Sequence, residues 1–126
     1  MSEHNMNVWI LKTNGSAVLV KDAPFTYYKD TGWELSLDWA KKQIGNGCTI
    51  AELVRLPWGD LWIDEEGLFR EERNLNGFAT SLYQAAFGGG NPIVGNAVLV
   101  MKKNAKMNRE LAHILTQLVA KSSSTC

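Results

Sequence analysis

A chain of 126 residues that is 45% hydrophobic and 21% charged has the length and balance of one globular domain. Lys plus Arg (13) offset Asp plus Glu (13), so no global positive potential draws it to nucleic acid or to an anionic membrane. No apolar run approaches the roughly 18 residues that would read as a membrane-spanning helix. The two cysteines, Cys48 and Cys126, offer neither a metal-ligand spacing nor a disulfide framework.

The start, MSEHNMN, lacks the basic-then-apolar pattern of a signal peptide, and the expected compartment is a reducing cytoplasm. Asn7 to Leu11 reads as a first strand, Asn14-Gly15 as a hairpin turn, and the stretch through Val20 as the returning strand. Asp22-Ala23-Pro24 ends it, and Phe25, Tyr27 and Tyr28 follow in an aromatic segment of undefined form. Leu37, Ala40, Lys41 and Ile44 give a helical face with Ser36 as its N-cap, stopped by Gly45-Asn46-Gly47. Cys48 to Leu56 reads as a strand, with Ile50, Glu52 and Val54 on one face. Leu61 and Ile63 then share a face in a hairpin that turns at Asp64 to Gly67 and returns through Leu68-Phe69.

Leu75, Phe78, Ala79, Leu82 and Ala86 recur at helical spacing behind an Asn74 or Asn76 cap. Ile93 to Met101 is a buried-type strand, and Leu111, Ile114, Leu115 and Leu118 stripe a last helix over about Met107 to Lys121. The chain is thus expected to be a single α+β domain over 1–126, with 1–6 and 122–126 as disordered ends. Its architecture is expected to be a mostly antiparallel sheet of about five or six strands with three helices packed on it.

The residue types that carry chemistry do not assemble into a catalytic pattern. Gly88-Gly89-Gly90 follows a helix instead of opening one, so it is a bend and not a phosphate cradle. Asp60, Asp64, Glu65, Glu66, Glu71 and Glu72 crowd one segment, but "DEEG" at a turn argues for solvent or for contact with a basic protein surface. His4 and His113 have no nearby nucleophile. Lys41, Lys42, Lys102, Lys103, Lys106 and Arg109 would bind nucleic acid only if they shared a face, and no aromatics interleave with them.

The run from Leu37 to Met101 resembles an uncharacterised small domain family that recurs in phage, plasmid and large-virus genomes. The resemblance rests on Ile44-Gly45-Asn46-Gly47, then Thr49, Ile50, Glu52 and Val54, and on Asp64 to Gly67. It continues through Asn76, Ala79 and Thr80, and through Ile93, Gly95, Asn96, Val98 and Val100. Cys48-Thr49 stands where the family tends to have an aromatic, and Ala51 is an extra residue in that segment. The resemblance implies an accessory protein of a mobile element, acting on a host component such as a defence protein. It assigns no reaction.

The leading expectation is therefore a small non-catalytic binding protein without a cofactor. Its partner is a host or viral protein or a small molecule, and self-association is open to it. Trp58, Trp62, Asp64, Glu65 and Glu66 are the expected protein-contact residues, with Trp33 and Trp39 as further aromatic anchors. The alternative is a small-ligand or nucleotide-binding domain that uses Asn76, Gly95, Asn96 and Lys102. A nucleic-acid-binding accessory role is a further alternative, disfavoured by neutrality.

Overall fold

The computed structural model describes residues 6–45, 47–57, 59–71 and 73–102. Five strands form an antiparallel sheet: β1 (Met6–Leu11), β2 (Ala17–Val20), β5 (Ala51–Leu56), β6 (Gly59–Asp64) and β7 (Ala97–Lys102). Their order is β2-β1-β7-β6-β5, so the latest of the described strands lies at the centre. A separate antiparallel pair, β3 (Phe25–Tyr28) and β4 (Gly32–Leu35), precedes helix α1 (Leu37–Ile44). Helix α2 (Gly77–Phe87) follows a short 3-10 turn at Gly67–Phe69.

The alternation along β7 explains the layering. Ala97, Leu99 and Met101 face one side and join Leu11, Leu61, Phe78, Ala79 and Leu82 in a core beneath α2. Val98 and Val100 face the other side and pack with Val8, Ile44, Phe25 and Trp62 beneath α1 and the β3–β4 hairpin. A strand covered on both faces needs apolar residues at every position, and Ala97 to Met101 supply them.

Local chemistry sets the element ends. Asn14 Oδ1 accepts from the Ser16 amide at 2.9 Å and its hydroxyl at 2.7 Å, while Gly15 takes φ +88° in the β1–β2 turn. Ser36 Oγ accepts from the Trp39 amide at 3.3 Å and caps α1. Gly88 adopts the left-handed conformation at the end of α2 and donates to Gln84 O at 2.7 Å. The glycine run is thus a helix stop feeding the connection to β7.

Two expectations change, the hairpin and the disordered start at 1–6, and one segment of undefined form is assigned. The hairpin lies between β5 and β6, and Leu68-Phe69 belongs to the 3-10 turn and not to a returning strand. Phe25, Tyr27 and Tyr28 form a strand, and Met6 already belongs to β1. The described residues contain two α-helices; the third expected helix lies outside them. The five-stranded antiparallel sheet within an α+β fold stands as expected.

Candidate functional site

Asn76 is fully buried, and its amide serves the main chain. Nδ2 donates to Leu11 O at 2.8 Å and to Gly95 O at 3.0 Å, and Oδ1 accepts from the Ala79 amide at 3.0 Å. Both donor hydrogens are therefore committed to fastening the start of α2 onto β1 and the entry to β7. Gly95 takes φ +84° and donates to Asn74 O at 2.8 Å. Asn96 ties two loops together: Oδ1 accepts from the Thr13 amide at 3.1 Å, and Nδ2 donates to Gln43 O at 3.4 Å. The structure brings Asn76, Gly95 and Asn96 together as a structural knot. Lys102 sits at the opposite end of β7, roughly 20 Å away at ~3.4 Å per residue, and its side chain lies outside the described residues.

The expected protein-contact residues separate in the same way. Asp64 is buried: Oδ2 accepts from Arg70 Nε at 2.6 Å and Oδ1 from the Glu66 amide at 3.0 Å. The Arg70 guanidinium also donates to Gly47 O at 3.3 Å, and its hydrogen bond to the Asp64 carboxylate holds its pKa above the usual value. Burial, reinforced by the Asp64 charge, pushes the nearby Cys48 thiol up, with Arg70 and Lys41 opposing. Glu65 and Glu66 are exposed, Trp62 is half-buried, and Trp58 lies outside the described residues. Lys103, Lys106, Arg109, His4, His113 and Cys126 also lie outside them.

A cleft of about 450 Å³ opens between the β3–β4 hairpin and the β5–β6 end of the sheet. Register builds its floor. Leu53 pairs with Trp62, and Arg55 pairs with Asp60, two positions along the same strands. Directly opposed residues of an antiparallel pair project to the same face, and all four line the cleft. Phe25 and Trp33 line it from the hairpin, where Tyr27 packs edge-on against Trp33 at 5.3 Å between ring centroids. Glu34 stands at the cleft with one carboxylate oxygen accepting from the Thr31 hydroxyl at 2.6 Å. The cleft thus combines three aromatic rings, an apolar floor pair and a charged floor pair, within the size range of small-molecule sites.

A second, smaller cleft of about 180 Å³ lies on the α2 side, between Tyr83 and Ile63. Among the described residues no group of three or more His, Cys, Asp or Glu side chains converges as metal ligands would. No described helix is long and apolar enough to cross a membrane.

Of the cleft residues, Trp62 and Trp33 stand out in the sequence as aromatic anchors, and Asp60 as part of the acidic segment. Arg55, Leu53 and Phe25 do not. The signal for them is register: reading residues 57–58 as a two-residue hairpin loop sets position 55 opposite 60 and 53 opposite 62. Comparison with protein-family models, curated proteins and solved structures gives no match.

Proposed function

We propose that this chain is a small non-catalytic binding protein that recognises its partner through the cleft under the β3–β4 hairpin. The cleft itself is the observation that carries this reading. Its aromatic rings offer large contact area at low entropic cost, and its charged pair offers orientation. The states of the other reactive groups fit a binder: Asp64 is engaged by Arg70, and the Cys48 thiol is held protonated. The resemblance over Leu37 to Met101 supports an origin in a phage or another mobile element. There, occupying or sequestering a host component, a defence component included, requires binding and no turnover.

The concavity of the cleft favours a second reading, in which the occupant is a small molecule rather than a protein segment. Native mass spectrometry of gently purified protein from its source cells separates the two. A co-purifying small mass supports ligand sequestration, and a co-purifying polypeptide supports protein inhibition. In either case Trp62→Ala is expected to release the co-purified species; retention by that variant would remove the cleft from the proposal.

A further inference from the structure

Arg55 and Asp60 stand directly opposite on β5 and β6, on one face, both lining the cleft. Opposite charges so placed ordinarily pair. Yet among the described residues the ion pair formed is Arg70–Asp64, and Arg55 and Asp60 do not close on each other. The cleft therefore presents one cation and one anion side by side, each open to a counter-group. Two positions along the strands, about 7 Å away at ~3.4 Å per residue, lie the apolar pair Leu53 and Trp62, with Trp33 and Phe25 above.

We infer that the cleft takes a free α-amino acid with an aromatic side chain, its carboxylate on Arg55, its ammonium on Asp60 and its ring between Trp62 and the hairpin. The inference rests on the reading of the cleft as the binding site. A zwitterion meets both groups with full opposite charges; the backbone of an internal peptide segment brings neither charge, and a nucleobase can hydrogen-bond Arg55 and Asp60 but brings no counter-charge to either. A polyanion such as a nucleoside triphosphate is disfavoured because Arg55 faces two carboxylates there, Asp60 and Glu34. The two pairs are near enough for one small molecule to touch both. Both contacts are charge-assisted hydrogen bonds, stronger than neutral ones.

The test is calorimetric titration of the full chain with L-phenylalanine, L-tyrosine and L-tryptophan, with their N-acetyl amides, and with guanosine. The free amino acids are expected to bind, and the N-acetyl amides, which lack both charges, to bind at least about tenfold more weakly. Arg55→Gln and Asp60→Asn are each expected to weaken amino-acid binding by about tenfold or more, with unchanged circular dichroism. Equal affinity for the amides, indifference to both substitutions, preference for guanosine, or no heat with any amino acid at millimolar concentration would each overturn the ligand class. The co-purified mass on the wild type and on Trp62→Ala judges the cleft separately. Loss of that mass from the variant alongside a failed titration leaves the cleft as the site of another ligand. Its retention removes the cleft altogether.

Discussion

Asn76 reaches back across 65 residues to hydrogen-bond the Leu11 carbonyl at 2.8 Å, from a position with no solvent exposure. The same amide caps α2 and holds Gly95, so one side chain joins the first strand, the second helix and the entry to the central strand. Asn76→Ala is expected to lower the unfolding free energy by about 2–4 kcal/mol, since it leaves buried carbonyls without donors and removes a cap. Asn76→Asp should cost more, because a carboxylate would face the Leu11 and Gly95 oxygens. Urea denaturation of the three proteins gives the order: wild type, then Ala, then Asp. An Asp variant as stable as wild type would contradict the assigned donors.

Gly59 begins β6 where it passes close to β7. A β-carbon there would meet the Val100 carbonyl and, at 3.0 Å, Met101 Cγ. Gly59→Ala should therefore push β6 off the central strand and cost about 2–3 kcal/mol, read as a lower denaturation midpoint. Gly77→Ala is the control, because nothing lies near its β-carbon position and it is the first residue of α2. That substitution should be neutral or slightly stabilising.

The Cys48 thiol has a pKa raised by burial and by Asp64. In the unfolded chain the thiol deprotonates first, so the unfolded state binds fewer protons and native stability falls as pH rises through that interval. The stability associated with this group is complete below the unfolded pKa and lost as pH climbs through the folded one. Cys48→Ser should flatten this alkaline decline in a pH series of thermal melts. In a Cys126→Ser background, iodoacetamide should modify native Cys48 more slowly than the unfolded chain.

The Tyr27–Trp33 contact stiffens the hairpin that walls the cleft. A double-mutant cycle with Tyr27→Ala and Trp33→Ala should return a coupling of about 0.5–1.5 kcal/mol. Tyr27→Ala by itself should weaken occupancy of the cleft while leaving the sheet's far-ultraviolet dichroism intact, because β3 and β4 form their own pair.

Much of the sheet was legible because its residues obey one dominant period. β1, β2 and β7 are apolar runs bounded by Asn-Gly or Gly-Asn signals, and the cap residues Ser36 and Asn76 announce their helices. The β5–β6 hairpin was concealed by a stronger competing signal: Asp64-Glu65-Glu66-Gly67 has turn composition, whereas Pro57 reads as a strand breaker. β3 was hidden because its burial is partial and its exposed positions include Tyr27 and Tyr28, and β4 because it is only four residues long with a single exposed position, Glu34. Asn76 was chosen as a polar site residue on sound chemistry, but the hydrogen-bonding capacity that suggested a ligand is committed to the main chain. The cleft was the least legible feature because it depends on cross-strand register and on a hairpin folding over the sheet, neither of which is local in sequence.

The central place of β7 also governs how the protein is made. A ribosome delivers β1, β2, β5 and β6 long before Ala97 to Lys102 emerges, and until then the two halves of the sheet have no strand to join them. Met6 must find Lys102, and Asp60 must find Val100, so the loop-closure cost falls late and β7 joins the two halves of the sheet in one step. The nascent chain therefore carries two open hydrogen-bonding edges, on β1 and on β6, from the time β6 is made until β7 follows. A stop codon between Asp64 and Ala97 would leave both edges exposed at once and yield an aggregating fragment rather than a smaller domain.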